Sequence, residues 1–158
     1  MKKMIRVIFN ISFILYLLVL AIFLFFGMRG HFWTNVSLLE YIKSSSNIVP
    51  FKTISTYVSA ILDGSMNLNI PIQNLAGNLI MFLPMGIYLP YYIKKMHRLG
   101  RFIAFMMLVL FLIEVTQVVT RRGSFDIDDF ILNMVGAIIG LGLWKTRIVQ
   151  KLLQHFNH

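Results

Sequence analysis

The sequence predicts an all-α integral membrane protein: a bundle of four transmembrane helices, with a more polar outer segment between helices 1 and 2. Two observations carry this. Of 158 residues, 58% are hydrophobic and only 13% are charged, and the mean hydropathy is +0.75. A soluble domain of that length needs a polar shell, and only residues 28–71 offer one. The apolar residues also fall into four runs, each near the ~20 residues that cross ~30 Å of hydrocarbon as a helix. The chain 1–158 therefore reads as one membrane domain.

The first run, residues 7–27, follows the basic Lys2, Lys3 and Arg6. It is too long for a signal peptide, and "FFGMRG" has no small-x-small cleavage pattern, so it is read as a retained signal anchor. Residues 72–93 form the second span, with Pro84 and Gly86 expected to kink it. The third covers 102–120 and the fourth 127–144. Between the first two, the segment 28–71 is itself half apolar ("NIVPFKTISTYVSAIL"), which suits short amphipathic pieces lying on the membrane surface.

Charge sets the expected orientation. Ten of the fifteen Lys and Arg (Lys2, Lys3, Arg6, Lys94, Lys95, Arg98, Arg101, Lys145, Arg147, Lys151) fall on one side of a four-span arrangement, and none of the six acidic residues does. By the positive-inside rule that side, with both termini, is cytoplasmic. It would favour anionic lipid headgroups. The net charge of +9 is thus explained by topology, and no nucleic-acid partner is expected. The lack of cysteine excludes disulfides, thiolate catalysis and Cys-based zinc sites.

Several polar residues stand where apolar ones are expected. Asn74 and Asn78 share a helix face, with Gly77 beside them to admit a close neighbour. Headgroup water at the outer end would account for both without further function. Glu114 and Gln117 share a face of the third span, where a carboxylate costs roughly 2.5–3.5 kcal/mol on insertion scales and needs a partner. Either they are glue between helices or they line a site.

The stretch "RRGSFDIDDFILNMVGAIIG" is the densest signal. Asp126, Asp129, Asn133, Gly136 and Gly140 are spaced to lie on one seam of the fourth helix, with the glycines as a GxxxG packing pattern. Asp128 falls off that seam and is expected to face water, so that its loss would be nearly silent. Acids at a helix N-terminus also suit the helix dipole, with Ser124 as a candidate N-cap, and this capping role is the alternative to a ligand site. Arg121 and Arg122 stand on the side where cations are disfavoured, which implies a partner: the aspartates, or an anion such as phosphate. Asn74, Asn78, Glu114, Gln117, Arg122, Asp126, Asp129 and Asn133 together are expected to line one outward-facing polar cleft.

"NLAGNLIMFLPMG", Glu114-x-x-Gln117 and "RRGSFDIDDFILNMVGAIIG" resemble the VanZ-like family of small bacterial membrane proteins, and "NIVPFKTI" is similar to the segment that family carries there. The resemblance implies low-level resistance to lipid-bearing glycopeptides of the teicoplanin type, without precursor-remodelling enzymes. It supplies no mechanism. The expected partners are membrane lipids and either the lipoglycopeptide antibiotic or a lipid-linked cell-wall precursor; an oligomer is compatible. No cofactor, metal or catalytic residue is assigned. Two other readings stay open. One is a metal-assisted enzyme, with Asp126 and Asp129 holding Mg²⁺ against a lipid phosphate, although His31, His97, His155 and His158 lie elsewhere. The other is a small lipid or proton-coupled transporter using Glu114.

Overall fold

The computed structural model describes residues 2–26 and 36–151. In chain order the elements are α1 (Lys2–Phe25), α2 (Leu38–Ser44), the two-residue strand β1 (Ser46–Asn47), α3 (Lys52–Asp63), α4 (Asn69–Met81), α5 (Met85–Tyr92), α6 (Leu99–Val119), β2 (Phe125–Asp126) and α7 (Ile127–Trp144). A 3-10 turn, Lys94–His97, joins α5 to α6. Four stretches are long and apolar enough to cross a membrane: Arg6–Phe25, Asn69–Tyr92, Leu99–Val119 and Ile127–Trp144. The fourth has the expected limits, and the second and third each begin slightly earlier than expected. Gly27, the expected end of the first span, lies outside the described residues, as do Arg29, His31, His155 and His158.

Residue spacing explains how α1 sits. Ile8, Ile11, Leu15, Leu18 and Ile22 are exposed along one face, as suits contact with lipid tails. Phe9, Phe13, Tyr16, Leu20 and Leu24 line the other and pack on the core. Phe9 and Phe13 stack against Tyr88, Tyr91 and Tyr92 of α5 at 4.5–6.3 Å between ring centroids, a favoured aromatic separation. The centre of the bundle is Phe82, Phe102, Met106, Leu110 and Leu141, all fully buried.

The second span breaks where proline requires it. Pro84 has no N–H to give Ile80, and the Met85 N–H turns to Phe82 O at 3.1 Å, so the Met81 carbonyl loses its helical donor. The Tyr16 hydroxyl of α1 donates to that carbonyl at 2.9 Å. In a membrane such a replacement is needed, because no water is at hand to satisfy a freed backbone group.

The bent helix is held against α7 by glycines. A Cβ at Gly136 would overlap the Leu79 carbonyl oxygen; one at Gly140 would overlap that of Leu83; one at Gly86 would run into the Ala137–Leu141 backbone. The GxxxG expectation is therefore met, with α4 and α5 as its partner. Gly77 does not serve close approach, since its missing Cβ points into open space. Close contact comes further along, at Gly86, because α7 meets the second span near the proline break. Gly140→Ala should accordingly lower stability by about 1–3 kcal/mol through overpacking. Gly77→Ala should raise it by about 0.5–1 kcal/mol through helix propensity. Melting temperatures of the two variants in lipid nanodiscs check both signs.

Residues 36–63 fold back over one end of the bundle as short helical pieces. Ser37 caps α2 in a capping box with Glu40, whose carboxyl is held below the usual range by the Ser37 donors. β1 pairs in parallel with β2, matching Ser46 to Phe125 and Asn47 to Asp126. That end carries the acidic cluster. Lys94, Lys95, Arg98, Arg101, Lys145, Arg147 and Lys151 are exposed at the opposite end.

Candidate functional site

The site is built from the turn between α6 and α7. α6 ends in a Schellman arrangement: the Arg122 N–H donates to Gln117 O at 2.8 Å and the Arg121 N–H to Val118 O at 3.2 Å, with Arg121 left-handed at φ 56°. A non-glycine residue there costs roughly 1–2 kcal/mol. The Arg121 side chain offsets part of this by donating to Val36 O at 2.9 Å and lying over the Tyr41 ring. Tyr41 is buried and donates its hydroxyl to Gly123 O at 2.9 Å, so α2 and the turn lock together.

The three aspartates that follow diverge. Asp126, not Ser124, is the N-cap of α7, accepting from the Asp128 N–H at 2.9 Å. Its carboxylate does not point into the bundle beside Asn133, as the seam predicts. It accepts from Asn47 Nδ2 at 3.0 Å and from the Thr53 hydroxyl at 2.7 Å. Cap residues have extended rather than helical backbone, here φ −127° and ψ 117°, so the helical period does not apply to Asp126.

Asp128 is the larger correction. It is 0% exposed, and its carboxylate receives the N–H groups of Phe51 (2.6 Å), Thr53 (2.7 Å) and Ile54 (3.1 Å), the first turn of α3. The position off the seam is real, but that face of α7 is covered by the folded-back segment rather than by water. α3 starts after Phe51, which makes no side-chain cap, so its N-terminal donors need an acceptor from elsewhere. That missing cap in "NIVPFKTI" was the available signal, and Asn47, Thr53, Tyr41 and Asp128 are the residues that sequence reasoning missed.

Asp129 points the other way. Asn78 of α4 is almost fully buried, and its Nδ2 donates to Asp129 Oδ1 in a short hydrogen bond between helices. Glu114, 3% exposed, accepts from the Asp126 N–H at 3.2 Å. Gln117 donates to Leu24 O at 2.9 Å, satisfying one of the last carbonyls of α1. Arg122 does the same for Phe25 O at 3.2 Å and lies over the Phe26 ring, 4.9 Å from its centroid. A cation at a helix C-terminus is favoured by the dipole, which explains why Arg122 goes there rather than to the aspartates.

Asn133 and Asn74 remain. Asn133 lies one turn below Asp129 on the same face of α7 and is 3% exposed. Asn133 Oδ1 and Asn74 Oδ1 are buried with no hydrogen-bond partner among the described residues. The structure thus brings Asn78, Asp129 and Glu114 to one end of the bundle, uses Gln117 and Arg122 to tie down α1, and turns Asp126 toward the surface segment. Asp126 is engaged with Asn47 and Thr53 while Asp129 is engaged with Asn78, so the two carboxylates turn to different partners. Glu114→Gln, which keeps an acceptor for the Asp126 N–H, should retain more function and abundance than Glu114→Leu. Equal and complete loss in both would mean that the ionised carboxylate is required.

Four helices long and apolar enough to span a membrane, packed on an apolar core with polar side chains gathered at one end under a segment latched by aspartates, define an all-α membrane protein. Residues 13–150 match the VanZ/LLP1 family, and the chain belongs to it. It is 27% identical over 130 residues to Protein VanZ of Enterococcus faecium, covering 82% of this chain and 69% of that protein. No solved structure matches the chain.

Proposed function

We propose that this protein lies in a bacterial cell membrane with both termini cytoplasmic and binds an amphiphile at its acidic, outward-facing end. The amphiphile is a teicoplanin-type lipoglycopeptide or a lipid-linked cell-wall precursor, and binding gives low-level resistance to that antibiotic class. Membership of the VanZ/LLP1 family supports the resistance reading. The exposed cations at the opposite end support the orientation.

The observation that carries the binding reading is Asn133. A buried amide oxygen without a donor costs about 1–3 kcal/mol, so a chain with only structural needs gains nothing by keeping it. Interhelical glue accounts for Asn78 and Gln117, which are bonded across helices, but not for Asn133. Expression in a susceptible bacterium should raise the inhibitory concentration of a lipid-bearing glycopeptide and leave that of a glycopeptide without the acyl chain unchanged. No rise, or an equal rise for both, would contradict the proposal.

A further inference from the structure

Resting on that binding reading, we infer that the ligand's polar part is an uncharged hydrogen-bond donor, a polyol or amide headgroup, which Asn133 and Asn74 accept in preference to a phosphate. Asn78 gives its amide to Asp129, Gln117 gives its amide to Leu24 O, and Arg122 gives a guanidinium N–H to Phe25 O. Among the described residues, the buried side-chain polar atoms left without a partner are both acceptors, Asn133 Oδ1 and Asn74 Oδ1. Asp129 lies one turn above Asn133 on the same face of α7, with its carboxylate bonded to Asn78.

A phosphate brings only acceptors and negative charge to such a site, and like charges repel strongly where water is scarce. A hydroxyl or amide N–H supplies what the two asparagines lack. Asn133 sits about 6 Å deeper than Asp129 at ~1.5 Å per helical residue. The donor must therefore reach past the acids, which favours a neutral group over an ammonium that Asp129 would stop at the mouth.

The test uses the full chain in lipid nanodiscs with three probes of equal chain length: an alkyl glucoside, an alkylammonium and an alkyl phosphate. Thermal stabilisation by each is compared between wild type and Asn133→Leu, so that nonspecific partitioning cancels. The glucoside should stabilise wild type most, and Asn133→Leu should weaken its binding roughly tenfold, the loss of one good hydrogen bond, with phosphate binding unchanged. Without probe the variant should melt at or above the wild-type temperature, since it removes an unpaired amide. If it fails to accumulate, Asn133→Ser and Asn133→Ala give the same comparison, with the serine hydroxyl retaining binding that alanine loses. A glucosyl diglyceride against a soluble N-acylglucosamine then separates a membrane glycolipid from the sugar of an antibiotic. Asn133-dependent binding that favours phosphate or ammonium would overturn this inference and leave the binding reading standing. A lipoglycopeptide that binds equally well to wild type and Asn133→Leu would do the same. Failure of wild type to bind any probe, glycolipid or lipoglycopeptide would remove both.

Discussion

Asp128→Ala is expected to lower the stability of the protein by about 2–4 kcal/mol and its membrane abundance with it. The carboxylate accepts three backbone N–H groups at 2.6–3.1 Å and is 0% exposed. Hydrogen bonds to a charged acceptor contribute roughly 1.5–3 kcal/mol each, reduced here because the freed donors at the start of α3 regain some water. Asp128→Asn should fall between wild type and alanine, since one oxygen remains while the charge is lost and an NH₂ group faces donors. Hydrogen exchange offers the local readout: amides of residues 51–54 should lose protection in Asp128→Ala while those of α6 and α7 keep theirs. Unchanged melting and exchange would mean that α3 holds its place without the latch.

The second large effect is functional. Asp129→Leu should abolish resistance, and alone it also takes one hydrogen bond from the buried Asn78 amide, at a cost of about 1–3 kcal/mol. The double variant Asn78→Leu with Asp129→Leu removes both partners. Because replacing both ends of a buried hydrogen bond by apolar groups leaves no stranded amide between them, its stability should recover above that of the Asp129→Leu single variant. Resistance should stay absent. If the pair were glue alone, the double variant would recover function along with stability, so measuring both on the same membranes decides between structure and binding.

These two aspartates show how far the sequence could be read. The spans were legible because four apolar runs of membrane length have few competing interpretations, and the break at Pro84 follows from its missing N–H. The seam was legible where α7 is truly helical: Asp129, Gly136 and Gly140 all meet the second span. Helical periodicity says which residues share a face, but not what covers the opposite one. The contacts from Asp126 and Asp128 to residues 47–54 join positions more than 70 apart in the chain, so Asp128 was assigned to water when it in fact anchors α3. Gly77 failed for a related reason: a small residue permits close approach, and only the path of the neighbouring helix decides whether one occurs.

The central claim is that the acidic end holds an amphiphile through Asp129 and the amides beneath it. Its most direct test is to extract wild type and the Asn78→Leu, Asp129→Leu double variant from bacterial membranes in polymer-bounded native discs and to identify the retained lipids and added lipoglycopeptide by mass spectrometry. At equal protein abundance, one amphiphile should be enriched with wild type and absent from the variant; matching profiles for the two proteins would contradict the account.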